Sequence, residues 1–409
     1  MKVLVLSQFY DPEPIFKPHE LAEGLREKGH QVTVLTGFPN YPHGVVYDGY
    51  RVRPWRIEEV NGVRVVRLAL YADHSRSSFR RTLNYSSFCV SASILGSLLC
   101  GSVDVMYVWH PPLTIGMAAW IIGLARRLPF LYAIHDLWPE SVVGAGMLRN
   151  KPLIRLLESM ERFIYSRAKA IAVSSPGFVK HLEGKGVSRE KIHVLTDWAD
   201  EQIYRPIQPD PSLAAELGMV GKFSVVFSGQ LGIVQGLDTL INAWDLLRRY
   251  ENIQLIIVGD GVEKGRLESM VAARNLRNVR FLGRFPLHEM PPIHALADVL
   301  LVHLIADPLF GMSIPGKTYA YMASGKPILM AVNGVAAEIV QSANAGLTCS
   351  AEDPRAMADT VEQFFHMPKE KREDMGINAR EAFLRKYSRS VGVEKHERLL
   401  ARLSKKSAC

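Results

Sequence analysis

Cysteine is scarce in this chain. Its four copies among 409 residues, Cys89, Cys100, Cys349 and Cys409, make no C-x-x-C pair and follow no regular spacing. That argues against structural zinc and for a reducing, cytoplasmic setting. Long apolar runs are missing too: the longest, FCVSASILGSLLC from Phe88 to Cys100, spans 13 residues and contains serines, short of the roughly 20 needed to cross a bilayer. The apolar run in the opening MKVLVLSQFYDPEP is too short for a signal-peptide core and reads as a first strand. The loop after it, Phe9 to Lys17, has no glycine, so the G-x-G-x-x-G fingerprint of a dehydrogenase is absent where it would be needed. No Walker lysine motif and no G-x-S-x-G elbow occurs, which removes nucleotide-hydrolase and serine-hydrolase readings. No D-x-D and no metal-ligand grouping of His and Asp occurs either, so no divalent ion or other cofactor is implied.

Charge of one sign is in modest excess. The net charge is +8, and the first 200 residues carry 24 Lys+Arg against 18 Asp+Glu, so most of the surplus lies there. Without an aromatic-basic module of a known type, this argues against nucleic acid. The densest basic run, HSRSSFRRTLNYSSF from His74 to Phe88, interleaves Arg76, Arg80 and Arg81 with Phe79, Tyr85 and Phe88 and leads into the apolar tract. Two readings stay open: a solvated loop feeding a buried helix, or a peripheral contact with an anionic membrane surface, which would be the inner face of the cytoplasmic membrane.

What the chain has in abundance is alternation of short β-branched runs with amphipathic stretches, the pattern of a parallel sheet wrapped by helices. The expected strands of the first half are 2–7, 31–36, 63–68, 104–109, 129–134 and 170–174. A proline-rich stretch without periodicity, 192–212, reads as a crossing between domains. The pattern then restarts at 223–228, 253–259, 279–283, 298–303 and 327–332, and a charged helical tail begins near Ala379. The fold class is therefore α/β, with two Rossmann-like halves, each near the size of an ordinary domain. In such sheets ligands sit beyond the carboxyl ends of the strands.

Three glycine-bearing strand ends in the second half are candidates to hold phosphate or base: Gly229 and Gly232 in SGQLGIVQG, Gly261 in VGDGVEKGRL, and Gly283 with Arg284 in FLGRF. A fourth element is SIPGKTYAYMASGKP, Ser313 to Pro327. Here Pro315 and Gly316 open the mouth of a short helix and Lys317 adds a full charge to its positive end. Taken alone, each also reads as an ordinary turn or helix entry.

The order of LAEGLREKGHQVTVLTGFPNYP, YVWHPPLTIG, HDLWPES, SGQLGIVQGL, VGDGVEKGRLE, FLGR and IPGKTYAYMASGKPIL resembles the family-4 retaining glycosyltransferases of GT-B fold, most of all the envelope-polysaccharide branch with the colanic-acid and fucosamine transferases. The resemblance implies two Rossmann-like domains facing across a cleft. Residues 1–200 would bind the acceptor and 201–380 the nucleotide sugar, UDP- or GDP-linked, with a helix over 381–409 returning to the first domain. It implies transfer to a saccharide, lipid-linked in this branch, with retention and without metal. The donor contacts would be Gly229, Gln230, Gln235, Gly261, Gly283, Arg284, Ser313, Pro315, Gly316, Lys317, Thr318 and Tyr321. His135 and Lys317 would carry the chemistry, with Lys17, His110, Asp136 and Glu140 toward the substrates.

This sequence departs from the broader family in places. The family's ribose-binding glutamate falls on Ala320, its phosphate-loop cations fall on Gln230 and Gln235, and its Gly-Gly turn after the first strand is missing. Lys317, with Lys17 from the loop after the first strand, is then expected to balance the leaving diphosphate. With no carboxylate nucleophile in view, front-face substitution fits, in which a departing phosphate oxygen takes the acceptor's proton. Nucleotide-sugar epimerisation on the same fold, or a non-enzymatic sugar-binding protein, are the alternatives.

Overall fold

The computed structural model describes residues 1–75, 77–144 and 148–404. The described residues divide into two units, one of residues 1–197 with the C-terminal stretch from Gly392, the other of 198–391. Arg76 of the basic run and Cys409 lie outside the described residues.

The first unit is built on an eight-stranded sheet. Its strands are β1 (Lys2–Leu6), β2 (Gln31–Gly37), β3 (Trp55–Val60), β4 (Val63–Leu68), β5 (Val105–His110), β6 (Phe130–Ile134), β7 (Ala170–Val173) and β8 (Ile192–Val194), in the order β3-β4-β2-β1-β5-β6-β7-β8. All neighbours pair in parallel except β3, which runs antiparallel to β4. Runs such as VLVL and FLYAI are fully buried because helices cover both faces, so no alternation is needed. β3 was not expected. Its sequence WRIEEV lies largely exposed at the sheet edge and is polar at Arg56, Glu58 and Glu59, and it turns into β4 through Asn61 and Gly62, both at positive φ. β8 was read as part of the crossing segment, but IHV completes the other edge.

Helix α1 (Phe16–Glu27) follows β1 and ends where Gly29 adopts a left-handed conformation. After β4 come α2 (Ser78–Ser91), a π-helical turn over Ala92–Gly96 and a short helix Ser97–Leu99. α3 (Thr114–Arg126) and α4 (Lys151–Arg167) follow β5 and β6. The C-terminal helix, Arg389–Leu403, supplies buried Val393, His396, Leu399 and Leu400. Its part from Gly392 belongs to the first unit, where the His396 ring lies 5.7 Å from that of Tyr107 and Glu397 pairs with His30 at 2.7 Å.

The second unit carries a six-stranded, wholly parallel sheet. Its strands are β9 (Phe223–Ser228), β10 (Ile253–Val258), β11 (Val279–Gly283), β12 (Val299–His303), β13 (Ile328–Ala331) and β14 (Gly346–Thr348), in the order β11-β10-β9-β12-β13-β14. Side chains alternate between two cores. Phe223, Val225 and Phe227 pack with the helices Asp238–Leu246 and Pro354–His366, while Val226 packs with Tyr319, Tyr321 and Met322 of the helix Gly316–Ala323. β14, only Gly-Leu-Thr, was not expected.

Gly24 of α1 has no room for a side chain: a β-carbon there would stand 2.6 Å from Cγ2 of Val393. Gly24→Val is expected to overpack this contact and cost about 1–3 kcal/mol, read as a fall in the urea midpoint; an unchanged midpoint would show that the C-terminal helix is not held there.

Candidate functional site

In the second unit the strand ends singled out above are laced together by backbone. Gly229 N–H donates to Val258 O at 2.9 Å, Gly259 N–H to Gly283 O at 2.7 Å, and Leu231 N–H to Asp260 O at 2.8 Å. Gly259 has φ of +142°, and a β-carbon on it would stand 1.8 Å from Gly229 O, so only glycine permits this approach. Gly261 follows in the same turn, its N–H on Asp260 Oδ1. Arg284, beyond Gly283, is exposed.

Lys317 reaches this edge from the first turn of the helix Gly316–Ala323, which Pro315 precedes as N-cap without any side-chain cap. Its ammonium nitrogen lies 3.6 Å from the centroid of the Phe227 ring, and a β-carbon on Gly229 would stand 2.8 Å from it. That nitrogen is buried and makes no hydrogen bond. Burial pushes its pKa down to about 7. Gly229, with φ of +146°, thus leaves room for the amine. Gly316 is exposed with open space around it, Ser313 Oγ donates to Phe310 O at 2.9 Å, and the buried Thr318 hydroxyl has no partner.

Two expected donor contacts turn inward. Tyr321 is fully buried, and its hydroxyl is spent on Ser228, accepting from Ser228 N–H at 2.8 Å. Gln235 Oε1 accepts from Gly232 N–H at 3.1 Å and closes its own turn, whereas Gln230 is exposed. Sequence reasoning missed what holds these turns in place. His294 links Ser228 Oγ at 3.1 Å to Ser324 Oγ at 3.0 Å, and burial pushes its pKa down to about 3. His303, at the end of β12, donates from Nδ1 to Gln235 O at 2.6 Å and accepts at Nε2 from Glu352 N–H at 3.2 Å. The carbonyl places the proton on Nδ1 and the Glu352 N–H requires a bare Nε2, so the ring is neutral, in keeping with the burial that lowers its pKa.

In the first unit His135 follows β6. Its Nδ1 lies 2.9 Å from Asp197 Oδ1, and Nε2 is 3.2 Å from the Tyr107 hydroxyl. Burial works to raise the Asp197 carboxyl, but the charge and hydrogen bond of His135 prevail and hold it below its ordinary value. His110, by contrast, is closed in. It closes β5 with only 1 % of its surface exposed, among Tyr132 and Trp138, with both ring nitrogens unpartnered and its pKa pushed down to about 3 by burial. That ring is shut off from solvent, and nothing in the structure supports the substrate contact expected of it.

Glu140 is engaged as well. It pairs with His181 at 3.1 Å and with Lys185, which also holds the buried Glu161. Burial would raise its pKa, but these hydrogen bonds outweigh that and hold it at about 2. Asp136 is partly buried and its pKa is raised for that reason. Lys17 stands in the first turn of α1 rather than in a loop, and pairs with Glu20 at 2.7 Å. One further residue had escaped notice: buried Glu13 accepts from the N–H groups of Asn40 and Tyr41, both at 2.8 Å, and of Tyr10 at 3.1 Å, tying the loop after β1 to the loop after β2. Burial pushes its pKa up to about 7. Among the described residues no cluster of three or more His, Cys, Asp or Glu could hold a metal.

Two family models match. "Glycosyl transferase 4-like domain" covers residues 18–198 and "Glycosyl transferases group 1" covers 214–382. The chain is similar to the probable glycosyltransferase WbjE of Pseudomonas aeruginosa, 27% identical over 301 residues that make up 71% of this chain and 73% of that protein. It is similar also to the putative colanic acid biosynthesis glycosyl transferase WcaI of Escherichia coli K12, 28% identical over 325 residues, 75% and 77% of the two chains. Among solved structures, HepE of Anabaena in complex with UDP and glucose superimposes with a TM-score of 0.71 at 18% identity over 98% of this chain and 99% of that one. Sucrose-phosphate synthase of Thermosynechococcus elongatus does so at 0.74 and 18%, over the whole of both.

Two measurements follow from the charges. Because the Lys317 amine is held near 7 when folded and at 10.5 otherwise, its cost to the ligand-free fold is full below about pH 7 and vanishes by about pH 10.5. Lys317→Met should therefore raise the urea midpoint at pH 7, with the gain fading as pH rises through that window; no gain at pH 7 would contradict the buried, unpaired amine. Glu140 has the opposite sign: it stabilises above its ordinary 4.5 and loses this as pH falls toward 2. Glu140→Gln should cost about 1–3 kcal/mol at pH 7, allowing for its partial exposure, and converge on wild type as the solution is acidified below about pH 4.5.

Proposed function

The chain belongs to the family-4 glycosyltransferases of GT-B fold, and from that membership we propose that it moves a sugar from a nucleoside diphosphate donor to a saccharide acceptor. The reading extends to retention at the anomeric carbon, a lipid-linked acceptor and the making of a cell-envelope polysaccharide. The relatives' names support the last point, since WcaI is described as a colanic acid biosynthesis transferase.

One observation carries the donor site: the buried, unpartnered Lys317 amine beside Gly229, at an uncapped helix mouth where three strand ends meet. Such a group is costly unless an anion completes it. A diphosphate there gains the ammonium charge, the helix's positive end and free backbone N–H groups together. UDP is the favoured nucleotide because HepE, of the same fold, was solved with it.

In the proposed reaction the bond between the anomeric carbon and the donor's phosphate oxygen breaks on the same face on which the acceptor oxygen bonds to that carbon. The departing phosphate oxygen takes the acceptor's proton. No protein nucleophile or metal is called upon. Lys317 stabilises the charge that grows on the phosphate. His135, held by Asp197 and Tyr107, orients the hydroxyls of the transferred sugar. Epimerisation is disfavoured because Glu140, one of its few candidate carboxylates, is spent on His181 and Lys185.

Incubation with radiolabelled UDP- and GDP-sugars and a membrane extract is expected to move label into the lipid fraction, and Lys317→Ala to slow this about 100-fold or more. Isomerised donor without transfer would favour the epimerase instead. Calorimetry at pH 8 in buffers of different ionisation enthalpy should find about one proton taken up per UDP bound by the wild type and none by Lys317→Met. Equal uptake by both proteins would remove the lysine from the diphosphate site.

A further inference from the structure

β3 leaves one edge of the first unit's sheet open. It is joined to β4 by two residues only, Asn61 and Gly62, both at positive φ, so the turn closes on Val60 and Val63 as a hydrogen-bonded pair. Bonded and non-bonded pairs then alternate along the ladder. Arg56, Glu58 and Val60 spend their N–H and C=O groups on β4, in phase with Pro54, whose carbonyl accepts from Ala69 N–H at 3.2 Å. Trp55, Ile57 and Glu59 therefore aim theirs away from the sheet. Among the described residues no other strand, loop or side chain bonds to these outward groups.

The side chains at the same three positions are open as well. Trp55 and Ile57 are each 48 % exposed, and Glu59 and Val52 are exposed beside them. The other side of the strand is anchored. Glu58 pairs with the buried Arg67 and with Arg56 at 2.9 Å, and the Arg56 guanidinium lies 5.0 Å from the centre of the Tyr50 ring. An edge is commonly blunted by a proline or a bulge. β3 contains neither: no proline stands between Trp55 and Val60, and its register with β4 runs unbroken.

The charges select what can pair there. Two copies of one strand meet antiparallel about a two-fold axis, so one residue faces itself at the centre and its neighbours face one another in turn. Centred on Arg56, Glu58 or Glu59, the axis would set like charges face to face. Centred on Trp55 or Val60, at the ends, it would leave most of the strand unpaired. Centred on Ile57, it sets Ile57 against Ile57, Arg56 against Glu58 and Trp55 against Glu59, with no like pair. The same register satisfies every outward backbone group. Ile57 and its counterpart exchange two hydrogen bonds, and each pairing of Trp55 with Glu59 exchanges two more, about six in all.

We propose that β3 pairs antiparallel with β3 of a second copy of this chain, about an axis at Ile57, and so joins two eight-stranded sheets into one. The strand is complementary to itself in backbone, in its central apolar pair and in the charges on either side. Strand addition of this kind draws its affinity from main-chain bonds and its register from side chains. The contact is small beside a standard interface, so assembly follows protein concentration. It concerns the first unit alone and does not rest on the donor site.

The test is analytical ultracentrifugation of the full-length protein from about 1 to about 300 µM, the range suited to a contact below standard size. The wild type is expected to pass from monomer to dimer as concentration rises. Ile57→Lys and Ile57→Glu each set like charges at the axis and should each raise the dissociation constant about tenfold. An equal mixture of those two variants should dimerise again, because opposite charges then meet there. Arg56→Glu, which sets acid against Glu58 on both sides of the axis, should weaken the dimer about tenfold. All three should keep the wild-type circular dichroism spectrum and urea midpoint, since the altered side chains are exposed. A dimer untouched by either Ile57 variant, or no recovery on mixing them, would overturn the proposal. So would a wild type that stays monomeric throughout, which would leave the edge to an extended segment of another protein.

Discussion

A positive charge held out of water with nothing to pair it is the constraint around which the second unit is arranged. The Lys317 stem leaves a helix on one side of the sheet, and its amine comes to rest on the Phe227 ring, which belongs to the core on the other. The aromatic face offsets part of the lost hydration; the lowered pKa registers the remainder. In the proposed donor site the diphosphate would offset what burial costs this amine. Lys326, nine positions further along in the Ser-Gly-Lys-Pro exit of the same helix, has no such freedom, because its amine already donates to Ala295 O at 2.7 Å.

The turns around the amine are fixed by neutral polar groups rather than by ions. Ser228, the last residue of β9, is gripped through its N–H and hydroxyl by Tyr321 and through its hydroxyl by His294. His303 does the same for the Gln235 turn from beneath. Burial keeps both imidazoles uncharged, so Lys317 has no competing cation among them. A satisfied buried network of this kind rigidifies what it holds, and here it holds the backbone against which a phosphate would lie.

Strands with continuous apolar runs were legible because burial on both faces leaves a sequence signal with no alternation to misread; VRVVRL and FSVVFS end where they were expected to. β3 was missed although Asn61-Gly62 announces its hairpin, since its exposed, polar face lacks the apolar run that marked the others. The glycine turns and Lys317 were legible as types of residue at strand and helix ends. His294, His303 and Glu13 were not. Each is a single polar residue whose meaning comes from partners dozens of positions away, and nothing local distinguishes it from an ordinary surface residue. His110 shows the converse: it stands at a strand end as a ligand-binding residue would, and only the packing of Tyr132 and Trp138 reveals a ring shut off from solvent.

The first unit is completed by a segment that the ribosome makes after the whole of the second. Val393 fills the notch left by Gly24, His396 meets Tyr107, and Glu397 joins the pair of Lys28 and His30. The second unit, by contrast, is continuous in the chain. The order of birth and the order of completion are therefore inverted: the part that emerges first stays with an open flank, exposing apolar surface to passing chaperones, until the part that emerges second has already been able to close.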